Sequence, residues 1–133
     1  MSQRESENLK RRGRAFLELA EYSLSRGFHD MAVFHAHQAI ELFVKGVLLE
    51  VVGTYPRTHD LIELLDDWLS EKCGLISKLL DEKGERIEHL TDAYFSSKYG
   101  ERNFRRELAS SFVELAREVI RVASLCEEED REG

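Results

Sequence analysis

The stretch "FHAHQAIELFVK", residues 34–45, sets His35, His37, Gln38, Glu41 and Lys45 among Phe, Ala, Ile, Leu and Val, with no helix breaker. These polar groups can do chemistry. An imidazole moves protons near neutral pH. An amide offers both a donor and an acceptor, as a base edge requires. An ammonium meets a phosphate as a point charge, and a carboxylate keeps such a buried cation from standing unpaired. On a helix turning about 100° per residue, Gln38, Glu41 and Lys45 fall within an arc of about 60°, with His35 about 60° to the side of Gln38. Ala32, Ala36, Ala39, Ile40, Phe43, Val44 and Val47 fill the other half as a core face. Phe34, Leu42, Leu48, Leu49 and Val52 lie in or beside the polar sector. That sector therefore reads as a second interface or a cleft rather than a solvent face. The spacing also fits a plain structural role, because Glu41 and Lys45 form an i,i+4 pair worth a few tenths of a kcal/mol.

Other chemistries find less support. His35 and His37 point to separate sides of a helix. His37 and Glu41 have chelate spacing, but two ligands are too few for zinc, so neither a metal nor a cofactor is expected. There is no G-x-S-x-G elbow and no Gly-rich phosphate loop. Glu85, Glu88 and Asp92 read as a charged solvent face; Arg86 rather than a glutamate stands three residues before His89, so no Glu-x-x-His motif forms. The basic runs "KRRGR" (Lys10–Arg14) and "RNFRR" (Arg102–Arg106) read as solvated faces, or as two sides of one groove if the first and last helices are neighbours.

The elements that must position these groups are helical. Apolar residues recur at helical spacing along the chain, without a long alternating run. The pattern predicts helices from about Glu5 to Ser25, from near Asp30 to Val52, through "DLIELLDDWLSEK", through "LISKLLDEKGERIEHLTDAYFSSKY" as one or two helices, and from about Phe104 to Cys126. Gly27 and Gly53 are expected stops, Gly74 a break or bend, Gly84 a weak interruption, and Thr58 the N-cap after "GTYPRTHD". Short connections make neighbours antiparallel. The expected fold is all-α: an up-and-down bundle of four to five antiparallel helices, one domain over residues 1–126, with a frayed acidic tail at 127–133.

The 133 residues suit one core, and a formal charge of −7 disfavours non-specific nucleic-acid binding. Cys73 and Cys126, without a CxxC or a cysteine ladder, are expected as reduced thiols. The charged start "MSQRESENLKRRGR" lacks the apolar core of a secretion signal, and Glu41, Lys45 and Glu50 interrupt the longest apolar stretch. No membrane span and a cytoplasmic location are the expectation.

The segment "GFHDMAVFHAHQAIELFVKGVLLEVVGTYPRTHDLIELL" resembles the HEPN family of helical domains. The residues that carry the resemblance are Asp30, "AVFHA", Gln38, Glu41, Lys45, and "P-x-THDL" with His59. It is strong from Ser23 to Leu65 and thins to "AYFSSKYG" with Tyr94 and Tyr99. Where the family often has Arg, Tyr, Pro, this chain has Lys98, Tyr99 and Gly100. His37 stands where a Gln is often found.

The resemblance implies a helical bundle that pairs as a homodimer, with a polar stripe lining a cleft for nucleotide or RNA. It also implies either partnership with a separately encoded minimal nucleotidyltransferase, in toxin–antitoxin style, or metal-independent ribonuclease activity. The ribonuclease signature is an Arg, four to six residues, then a His. Arg26, Arg57 and Arg86 precede His29 or His35, His59 and His89 at other spacings. The reading is therefore a non-catalytic module binding nucleotide or a nucleotidyltransferase. Its site residues would be His35, Gln38, Glu41, Lys45, His59, Tyr94, Lys98 and Tyr99. An atypical ribonuclease built on His35, His59 and a basic residue, and a structural oligomerisation domain, are the alternatives.

Overall fold

In the computed structural model, residues 2–98 and 103–133 are described; Tyr99, Gly100 and Arg102 of the sequence reading lie outside them. The fold is all-helical: α1 (Ser2–Ser25), α2 (His29–Val51), a short π-helix (Glu63–Leu69), α3 (Gly74–Lys98) and α4 (Arg106–Glu132). At the end of α1, Gly27 takes a φ of 79° and the Phe28 N–H donates to the Ser23 carbonyl at 2.9 Å, a left-handed glycine stop. Gly53, at φ 97°, turns the chain after α2.

Three expectations about local structure are corrected. Asp60, not Thr58, caps the segment after the loop: its Oδ1 accepts the Ile62 N–H at 3.0 Å, while the Thr58 hydroxyl accepts the Asp60 N–H at 3.1 Å. The next segment is wound wide rather than as an α-helix, with the Ser70 N–H donating to the Leu65 carbonyl at 2.8 Å. The wider turn helps Leu61, Leu64, Leu65 and Leu69 all reach the core, where each is fully buried. Finally, Gly84 does not interrupt α3, which runs through it.

The contacts fix the topology. Ser6 and Gly13 of α1 meet Gly46 and Phe43 of α2, and Phe16 meets His35, so the two run antiparallel. Lys10, Arg14 and Glu21 meet Glu127, Ser124 and Arg117, so α4 is antiparallel to α1. His89 packs on Phe112 while Leu75 shares a cleft with Leu125, so α3 is antiparallel to α4. The result is the expected up-down-up-down bundle. α2 is its central rod: Ala32, Ala36, Ala39, Ile40, Val44 and Val47 are fully buried. It is long and apolar enough to cross a membrane, but 78% of its most apolar window is buried inside the bundle, the position of a core helix. Small residues bring the helices close. A Cβ at Gly13 would lie 2.8 Å from the Phe43 nitrogen, and one at Gly46 2.9 Å from the Ser6 carbonyl oxygen.

Two further expectations fail. Cys73 and Cys126 form a disulfide, with a Cα–Cα distance of 5.7 Å. Their 53-residue separation carries no motif, and only the bundle brings the start of α3 onto the end of α4. The tail is not frayed from residue 127. α4 continues to Glu132 because buried Glu127 accepts hydrogen bonds from Lys10 at 2.6 Å and Arg131 at 2.9 Å.

Candidate functional site

Helical repeat sets His37, Glu41 and Lys45 in line along α2, four residues apart. Gly53 and Pro56 then reverse the chain, and the Thr58–Asp60 turn lays His59 back over that line. The Lys45 ammonium donates to Glu41 Oε2 at 2.8 Å, and His59 Nδ1–H donates to the same carboxylate at 3.0 and 3.1 Å. Glu41 is buried and His59 is half exposed. Lys45 is buried too, with its ammonium 5.5 Å over the Tyr55 ring. Both charges are therefore matched inside one chain, as a buried ion pair requires.

His37 completes the group. Its Nε2–H donates to the His59 carbonyl at 2.9 Å, which ties the loop to the helix. A carbonyl only accepts, so Nε2 carries the proton and Nδ1 presents a bare lone pair. Among the described residues that buried Nδ1 has no hydrogen-bond partner; it lies 3.7 Å from Glu41 Oε1. The His37 ring stacks on Tyr94 at 3.8 Å and 11°. Burial pushes its pKa down from 6.5 to about 4, against the opposing pull of the Glu41 charge.

The sequence reading placed Glu41, Lys45 and His59 together, and they do meet. Tyr94 joins them from α3 through His37, and the Lys98 ammonium lies 6.0 Å over the Tyr94 ring. His35 does not join. It lies six residues before Glu41, about a third of a turn away on the helix, and its ring packs against Phe16 and Phe34. Burial lowers its pKa as well. Gln38 is half buried on the flank of the stripe and makes no hydrogen bond to the cluster. Tyr99 lies outside the described residues. His37, which is outside the candidate set read from the sequence, joins the cluster; its i,i+4 spacing to Glu41 is the signal that could have found it. The described parts of the two basic runs lie at opposite ends of α4. Lys10 and Arg14 reach Glu127 and Ser124 near the end of α4, whereas Arg105 and Arg106 stand at its start.

Chemically, the cluster is a carboxylate holding one ammonium and one imidazole, backed by a neutral histidine. The Glu41 contact fixes the His59 tautomer and leaves the other ring nitrogen, Nε2, as the group that can meet a ligand. Comparison with curated proteins, and with solved structures, gave no significant match for this chain. Comparison with protein families gave one: the HEPN domain matches residues 6–128. With that match spanning nearly the whole bundle, and with "HAHQAIELFVK" and "RTHD" meeting at one buried carboxylate, the chain belongs to the HEPN domain family.

Proposed function

We propose that this chain is a non-catalytic HEPN module, working as a homodimer, that offers the rim of the Glu41 cluster to nucleotide, to a separately encoded minimal nucleotidyltransferase, or to both in a toxin–antitoxin-type pair. The observation that carries the proposal is the state of Glu41. Both oxygens accept hydrogen bonds from within the chain, and they commit the buried cation beside them, Lys45. Phosphodiester cleavage needs a proton-transfer group next to a cation that can follow the developing charge. Here the cation is bound to a carboxylate, and the family's Arg–His spacing is missing from the sequence.

The rim still suits a ligand. His59 is half exposed, the Gln38 amide carries both hydrogen-bond roles, and Lys98 adds an ammonium beside Tyr94. A second copy has apolar surface to cover: Leu19, Phe28 and Met31, near the α1–α2 turn, and Phe95 on α3 are exposed.

Calorimetry with ATP and AMP, on the wild type and on Lys45→Met and Gln38→Leu, tests the binding half. Wild-type binding that both substitutions weaken is the expected result. If neither nucleotide binds, with or without a nucleotidyltransferase partner, and the substitutions change only stability, the cluster is structural. Incubation with single-stranded RNA tests the other half: cleavage that His59→Ala abolishes overturns the non-catalytic reading.

A further inference from the structure

One face of α2 is left uncovered by the bundle. Among the described residues α1 and α3 do not touch each other, so the front of α2 lies open between them. Phe16 packs on His35 at one margin of this opening, and Tyr94 stacks on Phe34 at the other. On a helix turning about 100° per residue, Met31, His35, Gln38 and Leu42 fall within an arc of about 60° along its floor. Apart from Phe34, these four are the only residues from Met31 to Leu49 that are not buried. The order of the strip is symmetric: its steps are four, three and four residues, and it runs apolar, polar, polar, apolar. An antiparallel copy therefore sets Met31 on the partner's Leu42 and His35 on the partner's Gln38. Each pair occurs twice, as a twofold interface requires.

The two polar groups are open for such a bond. Among the described residues, His35 and Gln38 make no hydrogen bond, and neither the His35 Nε2 nor the Gln38 amide is buried. An amide meets Nε2 whether that nitrogen donates or accepts. Leu19, Phe28 and Phe95, all exposed, add apolar surface around the strip. We infer that a second copy packs antiparallel on this strip, with the twofold axis level with Ala36 and His37. His35 stands apart from the Glu41 cluster of its own chain; in this register it is lent to the rim of the other site, beside the partner's Gln38. The inference rests on the homodimer reading above and names its face, its register and the residue that each copy supplies to the other. The Gln38 amide has two hydrogens and two lone pairs, so one imidazole leaves it capacity for a ligand.

Met31 and Leu42 lie about 16 Å apart along one helix, so they cannot pair within a chain. Sedimentation of the full chain over a concentration series is the test. Met31→Glu/Leu42→Glu sets like charges against each other across the axis and raises the dimer dissociation constant about tenfold or more. Met31→Lys/Leu42→Glu puts opposite charges at the same two places and recovers most of that loss. Leu125→Glu, at an exposed apolar position near the end of α4, changes it about twofold or less. Under mild oxidation Met31→Cys/Leu42→Cys gives a covalent dimer, and Met31→Cys alone does not. Thermal melts confirm that each variant is folded. A wild type that is monomeric at about 50 μM overturns the homodimer reading and this inference with it. The inference alone is overturned by a wild-type dimer that Met31→Glu/Leu42→Glu leaves intact, that Leu125→Glu weakens equally, that Met31→Lys/Leu42→Glu does not restore, or that the cysteine pair does not cross-link.

Discussion

Two glutamates of α2, Glu41 and Glu50, each anchor a charged cluster, and the clusters are built on opposite plans. Glu41 has one cation, Lys45, and shares its carboxylate with a half-exposed imidazole. At Glu50, two cations serve two carboxylates: Lys10 and Arg131 each contact both Glu50 and Glu127. The hydrogen bond with Glu127 lowers the Glu50 pKa, while burial, and then that same bond, raise the Glu127 pKa. The Glu50 cluster is redundant and locks α1, α2 and α4 together. The Glu41 cluster has no spare partner and faces a loop. Under the proposed function, that lack of redundancy beside a half-exposed imidazole suits binding rather than bracing.

Four perturbations sharpen or break this contrast. Reduction of the Cys73–Cys126 bond, or Cys73→Ala/Cys126→Ala, reopens a closure of 53 residues and lowers stability by about 4 kcal/mol on the loop-entropy scale. Since Cys126 adjoins Glu127, hydrogen exchange under reducing conditions should rise at the end of α4 before it rises around Glu41. Equal protection at both clusters would separate the disulfide from the redundant one.

Glu41→Gln strands the Lys45 ammonium in a buried position. A loss of about 3 kcal/mol is expected in urea unfolding. Lys10→Met leaves Arg131 on both carboxylates and should cost only about 1 kcal/mol. Were the two costs equal, redundancy would not be the difference between the clusters.

The pH response belongs to the Glu41 side. His37 is held neutral, with a pKa of about 4 against 6.5 when unfolded, so the unfolded chain binds more protons between those values. Its contribution is complete above pH ~6.5 and is lost as pH falls toward 4, on the order of 2 kcal/mol by pH ~4.5. His37→Gln should flatten that slope in melts recorded across the window, whereas Lys10→Met should leave it in place.

The sequence made the bundle legible because every long helix carries an apolar stripe at helical spacing, and Gly27 and Gly53 sit where left-handed stops were needed. What it could not carry was long-range geometry. Nothing at Cys73 announces Cys126, and "CEEEDRE" looks solvated until Lys10 is known to face Glu127. The π-helical winding depends on four leucines sharing the core, a tertiary demand that overrides local propensity. In the candidate site, Glu41, Lys45 and His59 were found because two lie on one helix face and the third follows a reversing loop. His35 stands apart from the Glu41 cluster because its offset from Glu41 is about a third of a turn, and His37 joins it through an i,i+4 spacing that is visible in the sequence.

The glycine contacts between α1 and α2 also bear on the order of assembly. Gly13 against Phe43 and Gly46 against Ser6 join residues a few tens of positions apart through a three-residue turn, whereas Lys10 must find Glu127 across 117 residues. The entropy of closing the shorter loop is smaller, so the α1–α2 hairpin is the natural folding nucleus and α4 docks onto it late. In chevron kinetics, Gly46→Ala, which wedges a methyl group between the two helices, should slow refolding. Lys10→Met should mainly speed unfolding.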